Sequence, residues 1–215
     1  MKIFKDRQSA GKLLAKRLKG YQGSRGVIVL GIPRGGVVVA HEVAKELSLP
    51  LDILVTRKIG APNQKELALG AVDPDGEVVW EQNLINDLGL KIEDLKEKVA
   101  DEVEEIRRRE ELYRQGKEAL EVGNKTVILT DDGIATGATT LAGIRYLKRH
   151  GARKIVLAVP VASKEAVERV MGEIGEMREI GEVIVLDTPE YFHAVGQFYH
   201  KFEPVGDEEV IQLLR

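Results

Sequence analysis

The chain has 215 residues, enough for one sizeable core and at most two small domains. Its 43% hydrophobic and 31% charged content reads as soluble and globular, and a net charge of −3 makes no electrostatic case for nucleic acid. The absence of Cys excludes disulfides, thiolate catalysis and zinc–thiolate sites, and no apolar run approaches the roughly 20 residues of a membrane span.

The segment Met1-Lys2-Ile3-Phe4-Lys5-Asp6 lacks the apolar stretch of a signal peptide, so a cytoplasmic setting is expected. Residues 6–19 read as a helix with Ala10, Leu13, Leu14 and Leu18 on one stripe, capped by Asp6 or Ser9. Val27-Ile28-Val29-Leu30 reads as a strand that opens into Gly31-Ile32-Pro33-Arg34-Gly35-Gly36 and then a helix over 37–47. The loop lacks both the GxGxxG spacing of a dinucleotide turn and the Gly-Lys-Ser/Thr of a Walker loop. Residues 51–55 give the next strand, ending in Thr56-Arg57-Lys58, which puts adjacent cations at the carboxyl end of a parallel strand. Residues 59–66 read as a loop. Asp73-Pro74-Asp75-Gly76 joins 67–72 and 77–82 into a hairpin.

A short helical turn is expected within 84–90, and a long helix over about 92–114. In the long helix Ile92, Leu95, Val99, Val103 and Ile106 recur at spacings of three and four, with Tyr113 in phase. Two readings stand for it, an amphipathic helix packed on the sheet with solvated charges, or a dimerisation arm. Strands are expected again at 126–130, 154–159 and 182–186, with helices over 141–150 and 163–171. The stretch 189–202 holds most of the aromatics and reads either as a terminal flap folded on the core or as a wall for a planar base. Asp207 is expected to cap a final short helix. His41, His150, His193 and His200 fall at no metal-ligand spacing.

Five apolar runs alternating with helices predict a doubly wound, mainly parallel five-stranded α/β sheet. The order 2-1-3-4-5 would put strands 27–30 and 126–130 side by side at the switch point, where ligands bind. Both loops that follow these strands would then flank one crevice. The second is the most informative stretch of the chain. After Thr126-Val127-Ile128-Leu129-Thr130 come Asp131 and Asp132, then Gly133-Ile134-Ala135-Thr136-Gly137-Ala138-Thr139-Thr140 and a helix. A helix N-terminus with small residues and the hydroxyls of Thr136, Thr139 and Thr140 suits a dianionic phosphate. The carboxylates beside it suit polyol hydroxyls or a hydrated divalent metal. Phosphate plus vicinal hydroxyls describes a phosphorylated ribose.

The stretch resembles the phosphoribosyl-pyrophosphate (PRPP) motif of the type I phosphoribosyltransferases, with departures at Thr130 and Gly133, where aliphatic residues are common. The resemblance implies that Asp131 and Asp132 take the ribose 2′- and 3′-hydroxyls, and that Ala135, Thr136, Gly137, Ala138 and Thr139 take the 5′-phosphate. The loop 31–36 looks like the pyrophosphate-binding loop, which has a cis peptide in some members, with Arg34, Gly35 and Gly36 facing the leaving group. Arg57 and Lys58 would meet the pyrophosphate from a mobile loop reaching over about 58–82. Mg²⁺ would bridge pyrophosphate and ribose hydroxyls, with Asp131 and Asp132 touching it through hydroxyls or water. Ile134, Val161, Tyr191, Phe192 and Phe198 are the candidates for the base wall.

The implied protein is one phosphoribosyltransferase-like domain over 1–215, with its core at about 27–160, a long helix at 92–114 and a C-terminal flap at 189–215. It would transfer phosphoribose from PRPP to a nitrogen acceptor, with a nucleobase as the leading choice, in the setting of nucleotide metabolism. Partners would be small molecules, with a homodimer possible and no membrane. Hypoxanthine and guanine enzymes carry an Asp at the place of Ala135, whereas adenine and xanthine enzymes have Ala, which disfavours the first pair as acceptors. The alternative is a catalytically silent PRPP sensor, for which an appended nucleic-acid surface would be the mark.

Overall fold

The computed structural model describes residues 3–62, 64–175 and 181–215. Five strands form a parallel sheet: β1 (Val27–Gly31), β2 (Leu51–Ile53), β6 (Thr126–Thr130), β7 (Lys154–Val161) and β8 (Gly181–Asp187), in the order β2-β1-β6-β7-β8. This is the expected order, with β1 and β6 adjacent from Val27↔Thr126 to Gly31↔Thr130. β1 and β6 are buried at every residue, which is why they read as unbroken apolar runs.

Helices cover both faces. On one face α1 (Arg7–Arg17) and α2 (Gly35–Leu47) pack against each other and the sheet through Leu14, Leu18, Val39, Val43 and Ile128. Asp6 caps α1 by accepting from the Ser9 amide at 2.7 Å, and the Ser9 hydroxyl accepts from the Asp6 amide at 3.0 Å. On the other face, α5 (Ala138–Arg149) sets Leu141, Ile144 and Leu147 against Leu129, Leu157 and Val159, and α6 (Lys164–Gly175) follows β7.

Beyond the C-terminal edge lies a second sheet, β3 (Arg57–Ala61), β4 (Gln64–Val72) and β5 (Val78–Trp80), antiparallel and in that order. The expected hairpin about 73–76 is present as β4–β5, and Arg149 of α5 pins its turn by donating to Asp73 at 2.6 Å and Asp75 at 3.0 Å. The expected loop over 59–66 is instead mostly strand, with Asn63 outside the described residues. β3 pairs with β4 through register shifts on both sides of Gly60, so long-range pairing holds a segment whose own pattern does not alternate.

After α3 (Gln82–Asp87), the long helix begins as a tight turn at Ile92–Leu95 and continues as α4 (Lys96–Arg114). Its apolar stripe is used within the chain: Val99, Val103, Ile106 and Tyr113 pack with Ile59, Val72 and Val210. The C-terminal α7 (Asp207–Leu213) has Gly206, not Asp207, at its cap position, and the Asp207 carboxylate accepts from the Tyr113 hydroxyl at 2.7 Å. Burial, and then that bond, push the Tyr113 hydroxyl up to about 12. Among the described residues no helix is long and apolar enough to cross a membrane.

Candidate active site

Because β1 and β6 lie in register, Gly31 and Thr130 end side by side and their loops leave together from the sheet edge. They border a crevice of about 800 Å³. Its floor is the acid pair. The Asp131 carboxylate accepts from the Asp132 amide at 2.8 Å, and the Asp132 carboxylate accepts from the Arg7 Nε at 2.7 Å. Burial, and then the charge of Asp132, push the Asp131 carboxyl well above the ordinary carboxylate range.

The glycines of the first loop make room for these acids. A Cβ at Gly35 would collide with Asp132 Oδ2, and one at Gly36 would stand 2.8 Å from Asp131 Oδ1. The peptide between Pro33 and Arg34 is cis. Gly35→Ala is therefore expected to force Asp132 off Arg7 and to cost about 1–3 kcal/mol, the usual range for overpacking. A thermal melt checks this, and an unchanged Tm would show that the loop yields to the methyl at no cost.

The second loop is pinned to β7. The Ile134 amide donates to the Val161 carbonyl at 2.9 Å, and the Ser163 hydroxyl donates to the Ala135 carbonyl at 2.7 Å. Gly137 sits at φ 82°, a left-handed turn that admits glycine without strain, and it starts α5 so that the helix N-terminus faces the crevice. Gly133, a departure from the resemblance, also has a packing reason. A Cβ there would lie 2.6 Å from Val195 and 2.9 Å from Val161, so the C-terminal segment fills the space a side chain would take.

The remaining candidates separate. Lys58 is exposed and lines the crevice from the start of β3. Arg57 also lines it, but its Nε donates to Glu102 of α4 at 2.7 Å. Arg34 is turned towards Asp207, at 3.6 Å, and is not among the crevice residues. Of the base-wall candidates, Ile134 lines the crevice. Val161 and Phe198 are fully buried in a cluster with Phe4 and Tyr199, Phe192 packs on Phe198 with ring centroids 5.0 Å apart, and Tyr191 is 74% exposed. None of these four reaches the crevice. Phe192 and Phe198 of the aromatic stretch thus pack on the core beside Phe4 and Tyr199.

Several lining residues were not among the named site candidates, and one brace stands just behind them. Arg7 comes from α1. Its guanidinium lies 3.8 Å from the Phe202 ring centre and donates to the Glu203 carbonyl at 2.8 Å, so the two chain ends together brace Asp132. The Tyr199 hydroxyl adds a bond to the Asp132 carbonyl at 2.5 Å. Val195 and Phe202 supply apolar lining. Lys98, Asp101, Glu102 and Arg109 of α4 form one charged wall of the crevice. Positions 98, 102, 105 and 109 fall at spacings of four, three and four, so a polar stripe was visible, but nothing in the pattern said what it faced.

Among the described residues no group of three or more His, Asp or Glu could hold a metal ion. The acid pair fits a cation that keeps its waters and takes further oxygens from a phosphorylated ligand, as Mg²⁺ does, rather than a closed protein cage.

Comparison with known proteins identifies a family. A family model described as a phosphoribosyl transferase domain matches residues 4–193. A Mycobacterium tuberculosis protein provisionally named a phosphoribosyl transferase is 42% identical over 214 residues, covering 100% of this chain and 47% of its own. The chain therefore spans about half the length of the curated relatives it matches. Among solved structures, TT1426 of Thermus thermophilus superposes with a TM-score of 0.79 at 41% identity, over 100% of this chain and 98% of that one. The AQ2163 protein of Aquifex aeolicus shares the fold at a TM-score of 0.52 and 12% identity, over 88% and 78% of the two chains.

Proposed function

The chain belongs to the phosphoribosyl transferase domain family, and from that premise we propose that it moves the 5-phosphoribosyl group of PRPP onto a nitrogen acceptor. The observation that carries this reading is the braced acid pair between two small-residue loops, with a helix N-terminus on one side and Lys58 on the other. In the reaction the C1–O bond breaks, pyrophosphate leaves with the bonding pair, and an acceptor nitrogen forms the C1–N bond and gives up a proton.

The chain's part is positioning and charge. Asp131 and Asp132 would accept from the ribose hydroxyls, with Arg7 holding the second acid in one orientation. The amides of 135–139 and the hydroxyls of Thr136 and Thr139 would hold the 5′-phosphate. The backbone of 33–36 would face the pyrophosphate, with Arg34 joining only by leaving Asp207. Asp131 and Asp132 would hold Mg²⁺ through water or the ribose hydroxyls, and the bound ion would neutralise charge on the pyrophosphate. Lys58 would meet the departing charge, and Arg57 would tie the small antiparallel sheet to α4 through Glu102. Closure of the 58–82 segment over the site, a single domain and a homodimer belong to the same proposal, as does a cytoplasmic setting.

The test is pyrophosphate release from PRPP and Mg²⁺ against a panel of nucleobases and amines. Release with at least one acceptor is the expected result, and none with any would favour the silent sensor. Hypoxanthine is expected to be a poor acceptor, turned over at least tenfold more slowly than the best of the panel. Ala135 at the crevice offers no carboxylate to a 6-oxopurine, and the loss of one charged hydrogen bond is worth about 1.5–3 kcal/mol. Efficient turnover of hypoxanthine by the pure protein would overturn that exclusion.

A further inference from the structure

Two buried hydroxyls at the crevice have no contact assigned in the proposed function, although the sequence groups Thr140 with the phosphate-suited loop. Thr56, at the exit of β2, is 5% exposed, and Thr140, in the first turn of α5, is 0% exposed. Both line the crevice, and neither hydroxyl has a hydrogen-bond partner among the described residues. A third unpartnered threonine, Thr130, is sealed below the acid pair and does not line it.

The two lie against one face of α5. A Cβ at Gly143 would sit 3.8 Å from the Thr56 methyl, and Gly143 follows Thr140 by one helical turn. Side chains on a helix lean back towards its N-terminus, so Thr140 leans to the crevice mouth. The surroundings are cationic on this side: Lys58 stands two residues beyond Thr56, and the α5 N-terminus carries partial positive charge. The acid pair borders the same space from the sheet side.

A buried hydroxyl without a partner costs folding free energy and is kept where a ligand supplies the bond. We propose that Thr56 and Thr140 form a binding pair at the side of the crevice where β2 meets α5, donating to phosphoryl oxygens of the bound ligand. The pair deepens the phosphoribosyl reading and rests on it for the identity of that ligand. Two ends of one donor carry this chemistry, the 5′-phosphate and the pyrophosphate, and each has a separate small-molecule probe.

The test uses Thr56→Val and Thr140→Val, which remove each hydroxyl and keep its shape. Melting of the protein without ligand is measured together with calorimetric titration of ribose 5-phosphate and of inorganic pyrophosphate with Mg²⁺. The expected result is an unchanged or higher Tm in both variants, with the dissociation constant of at least one probe raised about tenfold or more. The probe that suffers identifies the end of the donor that the hydroxyls hold. A lower Tm would assign the hydroxyls to the fold's own packing and overturn the proposal. So would both probes binding both variants within twofold of wild type, and that result would leave the phosphoribosyl reading standing. A wild-type protein that binds neither probe at millimolar concentration would remove both.

Discussion

Replacing Asp131 and Asp132 together by Asn is expected to weaken PRPP binding at least a hundredfold. Each carboxylate is proposed to accept from a ribose hydroxyl, and a charged hydrogen bond contributes about 1.5–3 kcal/mol. Neighbouring residues do not add cleanly, so the expected minimum is set just below the summed range, at a hundredfold or about 2.7 kcal/mol. Calorimetry with Mg²⁺ present checks it; affinity within tenfold of wild type would take the pair out of the donor site. The single change Asp131→Asn is expected to spare or raise the stability of the protein without ligand. The Asp131 carboxyl is raised in the fold by burial and by Asp132. A folded carboxyl with a raised value keeps a proton that the unfolded chain has lost, so its share of stability falls as pH climbs from the unfolded carboxylate range through the folded value. The amide does not titrate, so Asp131→Asn removes that fall. The Tm of this variant should therefore exceed wild type more at neutral pH than in acid. A Tm difference that does not change with pH would contradict the assignment.

The second large effect is expected at Lys58. It lines the crevice at the start of β3 from an exposed position, with no ion pair to another side chain among the described residues. Arg57 beside it is engaged with Glu102, so the geometry divides two cations that the sequence presents as equivalent. A cation that meets the leaving pyrophosphate gains most as the C1–O bond breaks, and interaction that grows in the transition state acts on kcat rather than KM. Lys58→Ala is therefore expected to cut kcat about a hundredfold, on the scale of one preorganised electrostatic contact. PRPP affinity should stay within about tenfold, or ~1.4 kcal/mol. Arg57→Ala should act more through Tm, by freeing Glu102 at the edge of α4. Single-turnover kinetics separate the two variants, and an unchanged kcat in Lys58→Ala would take the small sheet out of the chemistry.

The parts of this site that were legible in the sequence are those whose cause is local. Val127-Ile128-Leu129 is apolar because both faces of β6 are covered, and the acids and small residues that follow declare a strand end meeting a helix N-terminus. Sheet order then followed from handedness and from which loops could share an edge. What stayed hidden depends on contacts far apart in the chain. Arg7 reaches Asp132 across 125 positions, and nothing around Arg7 marks it as more than one charge on an amphipathic helix. β3 includes Gly60 and no alternation, so only its pairing with β4 makes it a strand. Within the aromatic stretch Phe202 and Val195 line the crevice, while Phe198 is buried in the core beside Val161 of β7. Residue type told what could stack on a base, but the register of an irregular segment decided which side chains turn inward.

One crevice is proposed to hold PRPP end to end across two loops, and the most direct test is a crystal structure of the protein with PRPP and Mg²⁺ bound. The expected result is the 5′-phosphate on the amides of 135–139, the ribose hydroxyls on Asp131 and Asp132, and the pyrophosphate against 33–36 with Lys58 beside it. A donor seated elsewhere on the chain, or bound in the crevice with its ribose turned away from both acids, would contradict it.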